Sequence, residues 1–161
     1  MNFRDKILTL EALPSWRAAV RDRHERLVVT NGCFDLLHVG HVIYLESACQ
    51  HGDLLLVGLN SDASVRQLKG PERPLNGESD RAAVLAAMQS VSAVCIFSEP
   101  AATRFLWAAQ PDVYVKGGDY TLDTLNREER QAVEAAGARI VLLPFVPGKS
   151  TSNLIEQILK L

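Results

Sequence analysis

Five short apolar runs, at residues 27–31, 53–59, 93–97, 112–115 and 139–143, alternate with longer segments of helical pattern. Most of these runs are apolar throughout rather than alternating in and out. That is the pattern of strands covered on both faces, as in a parallel sheet with helical crossovers. Helices are expected near 14–24, 40–51, 79–90, 100–109, 126–136 and 152–160. Pro14 opens the first, which is expected to pack outside the sheet. Asn126 and Glu129 have capping-box spacing and Gly137 is a natural stop. Leu154, Ile155, Ile158 and Leu159 share a stripe that should dock the last helix on the core. The alternation predicts an α/β, doubly wound sheet of about five parallel strands with helices on both faces. Residues 25–161 would form that domain and residues 1–24 an N-terminal helical extension.

Composition narrows the class of function. With 161 residues, 47% hydrophobic and 22% charged, the chain suits one ordinary folded domain. A net charge of −2 and a pI near 6.1 argue against nucleic acid as the main partner. Cys33, Cys49 and Cys95 are odd in number and form no C-x-x-C pair, so neither a disulfide framework nor a zinc knuckle is indicated. The N-terminus lacks the apolar core of a signal peptide, and no apolar run approaches the ~20 residues of a membrane span. A reduced, soluble, cytoplasmic protein with no membrane partner is the expectation.

In a doubly wound sheet the ligand lies beyond the carboxyl ends of the strands. The chemically distinctive residues fall just there, at 31–41, 60–62, 116–120 and 148–152. The first segment reads Thr30-Asn-Gly-Cys-Phe-Asp-Leu-Leu-His-Val-Gly-His41. Gly32 permits a tight turn, and His38 and His41 share a face at the start of a helix. Unpaired amides and the helix dipole already favour an anion there. Two imidazole donors would add stabilisation for the charge that builds on a phosphate during displacement. The bland alternative makes one histidine a helix cap and the other a core residue. Metal ligation is a weaker one, since no third ligand is near.

Three further segments extend the pattern. In Asn60-Ser-Asp-Ala-Ser-Val-Arg-Gln-Leu-Lys-Gly70, Lys69 reads either as a solvated loop charge or as a mobile clamp on a triphosphate. Arg81 reads as a phosphate contact or as a surface ion pair with Glu78 or Asp80. Val115-Lys-Gly-Gly-Asp-Tyr120 lets the backbone pass close to a flat ligand, with Asp119 as an acceptor for a ribose or base. Pro147-Gly-Lys-Ser-Thr-Ser152 contains the tail of a P-loop, but Leu143 stands where its first glycine belongs. It reads better as a helix N-terminus whose hydroxyls face phosphate. Lys149 either adds a phosphate contact or faces solvent.

Over roughly residues 25–160 these motifs resemble the nucleotidyltransferase superfamily of cytidylyltransferase-like enzymes that carry H-x-G-H. The resemblance implies a Rossmann-like sheet and direct attack of a phosphate on the α-phosphorus of a nucleotide, with no covalent enzyme intermediate. It implies catalytic roles for His38, His41 and Lys69. Nucleotide contacts would come from Asn31, Gly32, Cys33, Phe34, Asp35, Gly40, Arg81, Lys116, Gly117, Asp119, Tyr120, Ser150, Thr151 and Ser152. Mg²⁺ would be held mainly by the nucleotide phosphates, with Asp35 a candidate ligand, and a homodimer is implied. N-S-D-A-S-V-R, L-K-G with its following R-P, and V-K-G-G-D-Y look like the stand-alone D-glycero-β-D-manno-heptose 1-phosphate adenylyltransferases. That branch joins ATP and the sugar phosphate into ADP-heptose for lipopolysaccharide cores. Phe145 stands where glycerol-3-phosphate cytidylyltransferases typically carry Arg. Lys149 and Ser152 depart from the superfamily's S-T-T pattern.

The alternatives are a cytidylyltransferase acting on glycerol 3-phosphate or a related alcohol phosphate, a flavin-nucleotide adenylyltransferase, and a nucleotide-binding module without turnover. An NAD-binding dehydrogenase is rejected, because no G-x-G-x-x-G follows the first strand.

Overall fold

A computed structural model describes residues 2–118, 120–144 and 146–161. Its single sheet has six parallel strands: β1 (Ile7–Leu8), β2 (Leu27–Gly32), β3 (Leu54–Asn60), β4 (Ala93–Phe97), β5 (Val113–Gly117) and β6 (Arg139–Leu143). The spatial order is β1-β4-β3-β2-β5-β6. The helices are α1 (Leu13–Asp22), α2 (Val39–Cys49), α3 (Asp62–Lys69), α4 (Glu78–Ala87), α5 (Thr103–Ala109), α6 (Arg127–Ala135) and α7 (Thr151–Ile158).

The continuous apolar runs follow from burial on both faces. Leu27, Val29, Leu56, Ala93, Cys95 and Tyr114 face one core, shared with Leu13 and Val20 of α1, Phe105 and Leu106 of α5, and Ala132 and Val133 of α6. The alternate residues Val28, Leu55, Val57, Val94, Val113 and Val115 face the other, with Leu45 of α2 and Leu85 of α4. Successive side chains of a strand point to opposite faces, so strongly polar residues are confined to the ends of these runs.

The sixth strand is the difference from expectation. Ile7 and Leu8 pair in parallel with Val94 and Cys95 at the sheet edge. The Lys6 ammonium donates to the Val91 carbonyl at 2.8 Å, closing the turn that leads into β4. Leu13 and Val20 are fully buried, each stabilising by roughly 1.5–3 kcal/mol relative to exposure. Residues before 25 thus belong to the same core as the sheet.

Two helices also differ. The segment 60–70, where Lys69 was expected in a loop, is mostly α3, capped by Ser61, whose hydroxyl accepts from the Ser64 amide at 3.2 Å. Lys69 is therefore the last residue of a helix, stopped by Gly70 at φ 101°. In α7, Leu154 and Ile155 are only partly buried and Ile158 and Leu159 are exposed. That helix is held by its amino end, where the Thr151 hydroxyl donates to the Leu36 carbonyl at 3.1 Å. The expected docking of its whole stripe on the core does not occur.

The chain leaves β2 toward β3 on one side and returns to β5 on the other, so the sheet reverses direction between β2 and β5. The register sets Gly32 beside Leu59, Asn60 beside Phe97 and Gly117 beside Leu143, along one carboxyl edge. This crevice is where such a fold receives its ligand.

Candidate active site

β2 ends at Gly32, and the chain turns through Phe34 at φ 45° before α2 begins. A side chain at Gly32 would meet the Phe34 ring at 3.0 Å, so glycine lets that ring fold back. Phe34 is then buried against His41, with ring centroids 5.5 Å apart. The amides of Cys33 to Leu37 donate to no acceptor among the described residues. Amides that lack an acceptor among the described residues, beside a helix N-terminus, suit an anion.

His38 is the N-cap of α2. Its Nδ1 accepts from the Gly40 amide at 3.2 Å, and the His41 Nδ1 accepts from the His38 amide at 3.3 Å. The cap reading and the donor reading are thus one arrangement. A neutral imidazole whose Nδ1 accepts carries its proton on Nε2. Both rings, 4.0 Å apart between centroids, therefore keep an Nε2–H for a ligand. Burial, with the charge of neighbouring His38 and Lys69, pushes His41 down to about 4. Burial and Lys149 lower His38 as well. Neutral donors are what the site presents near pH 7.

Two cations flank the pair. Lys69, at the end of α3, is near enough for its charge to act on both His41 and Cys33. Lys149 lies against the start of α2: a Cβ at Gly40 would meet the Lys149 Cβ at 3.1 Å and the His38 ring at 2.9 Å. The glycine of H-x-G-H is therefore a close-packing position. Ser150 caps α7 by accepting from the Asn153 amide, and Ser152 is exposed. The amino ends of α2 and α7 converge through Thr151, Leu36, Lys149 and Gly40. Burial raises the Cys33 thiol, which stays neutral.

Asp35 and Arg81 are placed elsewhere than expected. Asp35 is buried, and both its oxygens are occupied: Oδ1 accepts from the Leu75 and Asn76 amides, and Oδ2 from Arg73 at 2.8 Å. Burial alone would raise this carboxyl, but the Asn76 amide, Arg73 and the Leu75 amide outweigh it and hold it low. Its carboxylate pins the segment 73–76 and does not fit as a metal ligand. Among the described residues no group of three His, Cys, Asp or Glu side chains could hold a metal ion.

Arg81 is fully buried on α4. Its guanidinium donates to the carbonyls of Asn76, Cys33 and Asn60 and to Asp62 Oδ1, at 2.6–2.9 Å. Neither Glu78 nor Asp80 is its partner, and four of its five N–H donors are taken by the protein itself. Arg81 ties the ends of β2 and β3 to the start of α3.

On the other side of the crevice, Lys116 is largely buried and donates to Asn31 Oδ1 at 3.2 Å. Asn31 Oδ1 also accepts from the Tyr114 hydroxyl at 2.7 Å. Glu129 of α6 lies 3.7 Å from the Lys116 ammonium. Gly117 is forced small by Tyr44, whose ring a Cβ would meet at 2.7 Å. Exposed Tyr120 has its ring 5.2 Å from the Lys116 ammonium. Asp119 and Phe145 lie outside the described residues. Sequence reading missed Glu129 and Tyr114: the Asn126 side chain does cap α6, but Glu129 turns inward instead of completing the box.

A doubly wound sheet whose reversal point carries a histidine pair, free amides and flanking lysines defines a nucleotidyltransferase domain. The model of the cytidylyltransferase-like family matches residues 29–157, and the chain belongs to that family. Among curated relatives, the bifunctional protein HldE of Geotalea uraniireducens is 56% identical over 95% of this chain, and that of Geobacter sulfurreducens is 50% identical over 96%. The chain spans 31% of the length of each. The lipopolysaccharide core biosynthesis protein of Thermoplasma volcanium superposes with a TM-score of 0.61 at 24% identity, covering 76% of this chain and 97% of its own. Pantoate-beta-alanine ligase from Francisella tularensis gives 0.59 at 13%, covering 96% and 79%. These two likenesses concern the fold. No helix of the described residues is long and apolar enough to cross a membrane.

Proposed function

We propose that the domain transfers AMP from ATP to a sugar 1-phosphate, D-glycero-β-D-manno-heptose 1-phosphate, releasing ADP-heptose and pyrophosphate. The observation that carries the chemistry is the mutual capping of His38 and His41, which leaves two neutral Nε2–H donors beside the free amides of residues 33–37. The choice of substrates rests on the resemblance of N-S-D-A-S-V-R and V-K-G-G-D-Y to the heptose branch, and on relatives named as the bifunctional protein HldE.

An oxygen of the sugar phosphate attacks the α-phosphorus, forming a new P–O–P link. The bond from the α-phosphorus to the bridging oxygen breaks, and pyrophosphate leaves with that electron pair. The protein's part is positioning and charge stabilisation. Nε2–H of His38 and His41 donate to the α-phosphate oxygens as negative charge rises in the transition state. Lys69 and Lys149 neutralise the departing pyrophosphate from two sides. Lys116, Gly117 and Tyr120 form the wall opposite. Mg²⁺ arrives with the nucleotide phosphates in this reading, and no side chain is assigned to it.

The test is pyrophosphate release with Mg²⁺, crossing ATP and CTP against heptose 1-phosphate and glycerol 3-phosphate. Release with ATP and heptose 1-phosphate alone supports the proposal. Turnover with CTP keeps the histidine chemistry and overturns the choice of substrates. Silence in all four, with ATP still bound, favours the module without turnover.

A further inference from the structure

The buried acid–base group at the carboxyl end of β5 is unexplained by the phosphate chemistry. Glu129 and Lys116 have side chains only 8% and 11% exposed. Glu129 lies on α6 and belongs to none of the motifs at the carboxyl ends of the strands. A charged pair this deep costs several kcal/mol of desolvation, which good geometry only partly offsets. An apolar pair would serve stability as well. The arrangement therefore calls for a reason other than stability.

The two carboxylate oxygens of Glu129 have separate partners. Oε1 accepts from the Ala102 amide at 2.7 Å, tying α6 to the start of α5. Oε2 lies 3.7 Å from the Lys116 ammonium and accepts from the Tyr114 hydroxyl at 3.3 Å. That hydroxyl is shared with Asn31 Oδ1, the atom to which Lys116 also donates. Glu129, Tyr114, Asn31 and Lys116 form one closed group at the point where the sheet reverses. Of the three ammonium protons, one goes to Asn31 and one faces Glu129; the third has no acceptor among the described residues.

We propose that Glu129 is a positioning residue for the transfer. Its Oε2 fixes the Lys116 ammonium beside Asn31, so that the free N–H meets a phosphate-bearing substrate in the crevice. The inference rests on the reading of the site given above. The groups facing Lys116 are Asn31 and Cys33 from the β2 side, Tyr114 on its own strand, Tyr120 beyond it, and Glu129 from α6. Burial lowers Lys116, and the Glu129 carboxylate opposes that shift. Burial keeps the Cys33 thiol neutral, so Glu129 is the anion of this group.

Glu129→Gln tests the proposal, because the amide oxygen still accepts from Ala102 while the charge is gone. The 13Cε signal of Lys116 is followed against pH, alongside the pH profile of pyrophosphate release. In the variant Lys116 should titrate lower than in the wild type, and the basic limb of kcat/KM should move with it. The loss should lie mainly in KM for the phosphate substrate, by about tenfold. An unmoved Lys116 titration overturns the proposal, as does a moved titration with an unmoved limb. Lys116→Met gives a second arm that leaves Glu129 in place: the basic limb should vanish, and its persistence overturns the proposal. If the wild-type protein is silent with every substrate pair, the reading of the reaction fails. The Lys116 titration then decides the Glu129 inference by itself.

Discussion

The imidazole of His41 folds back onto the backbone of His38, its Nδ1 3.3 Å from the His38 amide nitrogen. One ring edge stabilises the helix start and the other is left for a ligand, so the two jobs separate by substitution. Asn at position 41 offers an oxygen near the place of Nδ1 and nothing at the place of Nε2. His41→Asn should keep its melting temperature close to wild type while turnover falls on the order of 10²–10³. His41→Ala should lose the same turnover and the cap besides, which typically costs ~1 kcal/mol. Thermal melts and pyrophosphate release on the two variants check this. Equal melting temperatures would show that His41 does not cap.

Burial of the same ring, with the charges of His38 and Lys69 beside it, sets a pH dependence. His41 is held at about 4 in the folded protein, against 6.5 for an ordinary histidine. Between those values the unfolded chain binds more protons than the folded one, so stability rises with pH. The contribution of His41 is complete above about pH 6.5 and is lost as pH falls toward 4. Melting temperature should therefore drop over that window. His41→Asn, which cannot titrate, should show a shallower drop, and parallel curves would refute the assignment.

Much of this fold was legible in the sequence. All five apolar runs are strands, with ends within two residues, because burial between two helical layers keeps their middles apolar. Two residues of β1 carry no pattern at all, and their pairing with Val94 and Cys95 is purely tertiary. Ser61 does signal the start of α3, yet eight residues between polar flanks read equally as loop. In the site, the placing of His38 and His41 at a helix start was legible because it is local to one helix turn, whereas the packing of Gly40 against Lys149 is tertiary and was not. Asp35 and Arg81 were not, since their partners lie up to 41 and 48 residues away in the chain. Either residue looks like phosphate chemistry until its acceptors or donors are counted. Glu129 was masked by a second local role that its spacing fitted.

Gly40 allows a sharper check of the packing at the paired helix ends. Alanine in place of a helical glycine ordinarily stabilises by roughly 0.5–1 kcal/mol. Here the new methyl would lie 2.9 Å from the His38 ring and 3.1 Å from the Lys149 Cβ. The ring must move, and with it the Nε2 donor. Gly40→Ala should lower turnover by about 10²-fold, the cost typical of a misplacement near 1 Å. A fully active variant would show that the His38 position is not demanding.

Arg81 and Lys69 should part company when stability and activity are measured together. The Arg81 guanidinium is fully buried and serves four acceptors, three of them backbone carbonyls. Arg81→Met strands those carbonyls and leaves Asp62 without its partner, so unfolding free energy should fall by roughly 3–5 kcal/mol. Lys69 is exposed at the end of α3, and Lys69→Met should change stability by no more than ~0.5 kcal/mol. Its effect should appear in pyrophosphate release, because its charge is placed for the histidine pair rather than for the fold. Urea unfolding and turnover on both variants decide the matter. A stable Arg81→Met protein with impaired turnover would return that residue to the phosphates, where its sequence context first put it.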